Sequence, residues 1–314
     1  MNDENIGVQG DFSKINWLQE IAKDYLKQQK KQRRNRTLFR VGVLVCALLV
    51  LLMAPPKSND AKQSTPHVAV IELQGGIFDK SPGDAAHFIE SLKKVAKNDQ
   101  VKVLMIDINS PGGSPVQADE MNRALVTFRK SYPSVKVFAY CSDICASAAY
   151  YVAVGAEKIY ANPSSMVGSI GVVFNGFGFT GAMDKLGVSR RLVTAGKFKG
   201  FLDPFSEAAP NEVAKLQTML NIVHQQFKDA VLQGRGKRLK VNDDTFSGLF
   251  WTGIQAKQMG LIDDFASIRD GYGKLPRVVY SARENFIEKL NKQLGESMAH
   301  EILNKVGYGN AHIS

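Results

Sequence analysis

The sequence predicts an α/β fold around a largely parallel sheet, and three observations carry that expectation. Short apolar runs alternate with stretches of helical periodicity, which is the signature of repeated strand-helix units. A glycine pair stands at one strand-to-helix junction, and an alanine-rich turn stands at the next.

Taken in order, apolar runs over residues 68–73, 101–108 and 135–140 read as strands. Helical stretches follow over 84–96, over 116–130 and from about Cys145 onward. Beyond them the pattern predicts a strand pair around 158–160 and 168–173, a strand over 190–194, and long helices over 211–233 and 283–306. Gly253 and Gly260 bracket a short helix over 254–259 that leads into Gly260-Leu261-Ile262-Asp263. No internal repeat is visible. The folded domain is expected over residues 67–282, with a C-terminal helix and tail over 283–314.

Upstream of that domain the chain changes character. Its 314 residues are 44% hydrophobic and 22% charged, enough to bury a sizeable core, and its formal net charge is +10. Much of that charge lies in Lys27, Lys30, Lys31, Arg33, Arg34, Arg36 and Arg40, with no acidic residue among them. An apolar run abuts this block at once, and cationic flanks resist translocation. The expected organisation is therefore a basic cytoplasmic tail over 1–37, a transmembrane anchor over 38–54 and a polar linker over 55–66. Trp17, Leu18, Ile21 and Tyr25 fall at helical spacing, as in a helix lying near a membrane surface. A cleaved signal peptide is the rival reading, but the long polar N-terminus and Pro55 directly after Ala54 disfavour it. This placement of charge needs no nucleic acid as partner.

Three cysteines make no disulfide framework: Cys46 lies in the apolar run, and Cys141 and Cys145 are expected as buried thiols. His67, His87, His224, His300 and His312 have no ligand spacing, so neither a metal nor another cofactor is expected.

Two turns carry the chemistry. In Asn109-Ser110-Pro111-Gly112-Gly113 the glycines permit unusual φ values and present N–H groups with no side chain in the way. Asp143-Ile144-Cys145-Ala146-Ser147-Ala148-Ala149-Tyr150 places a hydroxyl among alanines at a helix start, the steric logic of a nucleophile elbow. Taken alone, the first is also an ordinary turn and the second also a helix cap. Both fall at the carboxyl edge of a parallel sheet, and together they are far more specific than either one.

With these turns, Gly168-Ser169-Ile170-Gly171-Val172 and Gly196-Lys197-Phe198-Lys199, the chain resembles the signal peptide peptidase A family (SppA), the S49 serine peptidases, in its short single-core form. That resemblance runs from about His67 to Gly260-Leu261-Ile262-Asp263 and implies the fold shared by the Clp protease and crotonase. It implies Ser147 as nucleophile, Lys199 as general base, Ser169 as support for the lysine amine, and the Gly113 and Ala148 N–H groups as oxyanion hole. Ala148-Ala149 depart from the Gly-Gly that commonly follows the serine, yet alanine keeps the N–H.

No histidine lies between His87 and His224, which independently disfavours a Ser-His-Asp triad. A lysine serves as base only in an apolar setting that disfavours its ammonium form, and Phe198, Phe201 and Leu202 flank Lys199. Lys197 is the competing base. The family further implies cleavage of remnant signal peptides and other apolar peptides at the cytoplasmic membrane, with the catalytic domain outside it. It also implies a homo-oligomeric ring of about eight subunits whose sites combine residues of neighbours. Competing readings are a crotonase-type acyl-CoA enzyme, which would need a carboxylate near Ser147, and an inactive membrane scaffold.

Overall fold

The computed structural model describes residues 23, 25–45 and 64–281. Contacts divide the chain into two units, Met1–Asn59 with Asn285–Ser314, and Asp60–Glu284. In the first unit residues 25–45 form a helix, α1, exposed along its length. Among the described residues no helix is long and apolar enough to cross a membrane. Of the expected span over 38–54, residues 46–54 lie outside the described residues, as does the expected helix over 283–306.

The second unit follows the expected alternation: β1 (His67–Gln74), α2 (Ala85–Ala96), β2 (Val101–Ser110), α3 (Pro115–Ser131), β3 (Lys136–Ala146), α4 (Ala148–Ala153) and β4 (Lys158–Ala161). Then come β5 (Met166–Gly168), α5 (Thr180–Lys185), α6 (Pro210–Arg235), β6 (Phe250–Thr252), α7 (Gly253–Gln258), β7 (Asp264–Phe265) and β8 (Arg277–Val279). The main path of the sheet is β6-β5-β3-β2-β1-β8, with β4 and β7 branching from β3. Every pairing is parallel except β5 with β6.

Strand alternation sorts the core onto two faces. Ala69, Ile71, Leu104, Ile106, Val137 and Ala139 point to the face covered by α2, α3 and α4. Val68, Val70, Val103, Met105, Phe138 and Tyr140 point to the other, against Tyr160, Ala266, Ile268 and Leu275. Helix starts are set by local caps: Asp84 accepts from the His87 N–H at 2.8 Å, and Ser114 caps α3 ahead of Pro115.

Three expectations are corrected. Residues 190–194 form no strand: they are exposed, and their β-branched residues find no sheet edge to join. The strand expected over 168–173 stops at Gly168, where φ is +111°. The helix expected from Cys145 begins only at Ala148, because β3 continues to Ala146 through a bulge. Ile108 pairs with Cys141 but Ser110 pairs with Cys145, so Ser142-Asp143-Ile144 stand opposite Asn109 alone. The Asn109 side chain satisfies that bulge, accepting the Ile144 N–H at 3.2 Å and donating to Asp143 at 3.1 Å.

Candidate active site

The bulge extends β3 far enough to have two partners on one edge. Its first half pairs with β4, its second half with β5, and Ser165 stitches the fork by donating to the Cys141 and Ser142 carbonyls. Cys141 and Cys145 are both buried free thiols beneath this fork, and burial pushes the Cys145 thiol well up, with Cys141 beside it adding to the shift.

Ser147 follows β3 directly, in the step between strand and helix. Its φ is +54° and ψ −125°, a conformation that costs a non-glycine residue about 1–3 kcal/mol and turns the side chain out of the core. The turn is held from both sides. The Ser147 N–H donates to the Gly168 carbonyl at 2.8 Å, and its carbonyl accepts the Tyr151 N–H at 3.0 Å to start α4.

Gly112 and Gly113 lie against it. A side chain at Gly112 would place Cβ 2.8 Å from the Ser147 Cβ and 2.9 Å from the Ala148 nitrogen, so only glycine leaves that nitrogen open. Gly113 is bridged to Ile77: the Ile77 N–H donates to the Gly112 carbonyl at 2.9 Å, and the Ser114 N–H to the Ile77 carbonyl at 2.7 Å. Neither the Gly113 nor the Ala148 N–H has an acceptor among the described residues. Both line one cleft with Ser147 and Ser169. Two unpaired donors beside a turned-out hydroxyl are what a developing oxyanion requires.

This cleft has a volume of about 430 Å³, and its apolar wall comes from Tyr151, Val172, Val173, Val223 and Phe227. Sequence reasoning missed that wall, although Val223, Phe227 and Val231 recur at four-residue spacing on α6 and mark its inward stripe. Tyr151 and Phe227 stack with centroids 4.9 Å apart. Burial, with the Asp119 carboxylate behind it, pushes the Tyr151 hydroxyl up to about 12, so it stays neutral at physiological pH.

No carboxylate, histidine or lysine lines the cleft among the described residues. The structure brings Ser147, Ser169, Gly113 and Ala148 together and leaves Lys199 apart, exposed on the turns over residues 196–202. Its neighbours Phe198, Phe201 and Leu202 are half-buried. Lys197 is exposed as well, its Nζ 5.5 Å from the Phe198 ring centroid.

Gly260-Leu261-Ile262-Asp263 proves to be the brace of this edge. The Tyr150 hydroxyl, from the first turn of α4, donates to the Leu261 carbonyl at 2.7 Å. Asp263 accepts the Ile159 N–H at 2.7 Å and pairs with Arg235 at 2.8 Å and Arg238 at 3.0 Å, tying the end of α6 to β4. Burial alone would raise the Asp263 carboxyl, but its hydrogen bonds and the two arginines outweigh that and hold it below the ordinary carboxylate range.

Fold and site together define an α/β protein with a serine on a nucleophile elbow and two open backbone donors beside it, the equipment of acyl-transfer hydrolysis. Residues 130–277 match the profile of peptidase family S49. The chain is 31% identical over 213 residues to a provisionally named protease of Methanocaldococcus jannaschii, covering 68% of each chain. It is 29% identical over 236 residues to the chloroplastic serine protease SPPA of Arabidopsis thaliana, covering 72% of this chain and 33% of that one. A Brucella abortus chain named as a Na(+)/H(+) antiporter is 40% identical over 178 residues, but the matched stretch is 24% of its length. This chain thus spans about a quarter of that relative. The protein belongs to peptidase family S49.

Proposed function

We propose that the chain is a membrane-anchored serine endopeptidase with Ser147 as nucleophile and Lys199 as general base. It would act on remnant signal peptides and other apolar peptides, from a ring of about eight subunits with the core fold of the Clp protease and crotonase. The observation that carries this reading is Ser147 at the strained elbow, facing one cleft with the unpaired Gly113 and Ala148 N–H groups.

In this mechanism the Lys199 amine takes the Ser147 hydroxyl proton while Oγ attacks the peptide carbonyl. The oxyanion settles between the two N–H groups, each typically worth ~3 kcal/mol in the transition state. The Lys199 ammonium then protonates the leaving amine, and a water repeats the sequence to free the acyl-serine. Ser169 accepts a hydrogen bond from the lysine amine and orients it. Among the described residues the cleft holds no carboxylate, histidine or lysine, which favours a lysine delivered by a neighbouring subunit. It also disfavours the crotonase-type reading, which needs carboxylates there. An apolar wall of Tyr151, Val223 and Phe227 suits apolar substrate side chains. The basic α1 and the apolar run after it support a cytoplasmic N-terminus, one membrane span and an extracytoplasmic catalytic domain.

Mixing inactive Ser147→Ala and Lys199→Ala subunits tests both residues and the shared site at once. Partial return of peptide cleavage is expected. No return from assembled mixtures would overturn the shared site, and activity in either variant alone would overturn its assigned role.

A further inference from the structure

We propose that His224 is a positioning residue for the Ser169 turn, acting through a hydrogen bond to the Ile170 carbonyl; this rests on the serine peptidase reading above. The four residues Gly168-Ser169-Ile170-Gly171 wrap around the nucleophile: the Gly168 carbonyl accepts the Ser147 N–H at 2.8 Å, and Ser169 and Gly171 line the cleft. Gly168 and Ser169 both hold positive φ, +111° and +51°, and ladder pairing ends at Gly168, so the rest of the turn has no regular ladder to define it. Its remaining backbone bonds are local or to one neighbour: Ser169 N–H to the Leu249 carbonyl at 2.8 Å, and Gly171 N–H to the Ser169 carbonyl at 2.9 Å.

From the opposite side, on α6, His224 Nε2 lies 3.1 Å from the Ile170 carbonyl oxygen. Among the described residues it is the one side chain that hydrogen-bonds this turn. A carbonyl only accepts, so Nε2 carries the proton, and it does so in both the neutral and the charged ring. The bond therefore fixes the Ile170–Gly171 peptide plane whatever the charge on the imidazole. Ile170 is fully buried, which anchors the turn by its side chain, while its peptide to Gly171 is held on the N–H side by the Ser169 carbonyl alone. His224 holds the carbonyl side of the same peptide and so keeps the Ser169 hydroxyl on the cleft side. The same helix contributes Val223 and Phe227 to the cleft wall, so one element sets both the wall and the turn.

The test compares His224→Phe with His224→Gln on the full chain in membranes. Turnover is expressed per Ser147 titrated by a phosphonate probe, with the covalent adduct mapped by mass spectrometry. Phenylalanine keeps the ring's bulk and loses the donor; glutamine loses the ring and keeps an N–H near the Nε2 position. A positioning role predicts a drop of about tenfold in kcat for His224→Phe at little-changed KM, and recovery of most of it in His224→Gln. A packing role predicts the reverse order, which overturns the proposal. Wild-type kcat in His224→Phe overturns it too, while leaving the assignment of Ser147 intact. Loss of Ser147 labelling in both variants with unchanged thermal unfolding would place His224 in the oxyanion geometry instead and likewise overturn it.

Discussion

The sheet edge around Ser147 and the segment between Gly171 and Pro210 are built on opposite terms. At the edge, strand pairing, the Asn109 and Ser165 side chains and the Tyr150 hydroxyl fix the backbone, and Gly112 leaves no space for a side chain. In the segment, one short helix interrupts irregular chain, and Val173, Phe177, Leu186 and Val193 are 83%, 75%, 77% and 95% exposed. Soluble monomers rarely leave so much apolar surface in one stretch. The contrast teaches that a single chain fixes the Ser147 turn and its two open N–H groups, whereas the segment bearing Lys199 leaves its apolar side chains exposed, as the proposed ring would require.

The sharpest way to break that contrast is at Gly112. Gly112→Ala puts a methyl against Ser147 and the Ala148 nitrogen and is expected to lower kcat by about 10²–10³-fold, the loss typical of a spoiled oxyanion donor. Steady-state kinetics on assembled enzyme measure it, and near-normal turnover would mean that the edge is looser than its contacts imply.

Next in size is the Arg235–Asp263 brace. Arg235→Met leaves a largely buried carboxylate without its main partner and is expected to cost about 3–5 kcal/mol in urea unfolding. The pH dependence has a definite sign. Because the folded Asp263 carboxyl lies below its unfolded value of 3.8, its contribution is complete above that pH and is lost as pH falls through the folded value. Wild type is therefore expected to lose stability on acidification below about pH 4, and Asp263→Asn to lose less over the same range.

A smaller effect probes the strain at the elbow. Ser147→Gly and Ser147→Ala both remove the nucleophile, but only glycine accepts φ near +54° freely, so the glycine variant is expected to be more stable by about 1 kcal/mol. Equal melting temperatures would mean that the elbow is relaxed.

The smallest effect on the fold belongs to the exposed segment. Val193→Asp is expected to change domain stability by less than about 0.5 kcal/mol, as surface substitutions do, while lowering the assembled mass in analytical ultracentrifugation. An unaltered mass would remove Val193 from the proposed subunit contact.

How legible each part was follows from what holds it. Strands β1, β2 and the first half of β3 announce themselves as apolar runs because both of their faces are covered. The second half of β3 is hidden because Ser142 and Asp143 interrupt the run where the bulge leaves the ladder. Strands β5, β6, β7 and β8 have two or three residues each, too few to show a period, and are defined by their partners. Residues 190–194 mislead for the complementary reason: β propensity without an edge to pair with. At the site, Gly113 and Ser147 were legible as small residues at junctions, while Ser169 came only with the family resemblance. The part played by Gly112 arises from contact with a neighbouring strand, and the distance of Lys199 from the cleft arises from tertiary placement, neither of which spacing encodes.

The bulge in β3 also sets a rule for how this edge can change over generations. Side chains alternate along a strand, so the count of residues between Cys141 and Cys145 decides which way everything beyond it faces. Three residues now stand where a regular strand would have one, an excess of two that preserves the parity. Insertions or deletions of a single residue in this stretch would turn the serine inward, whereas changes by two would keep it aimed at the cleft. Length variation here is accordingly expected to be inherited in even steps.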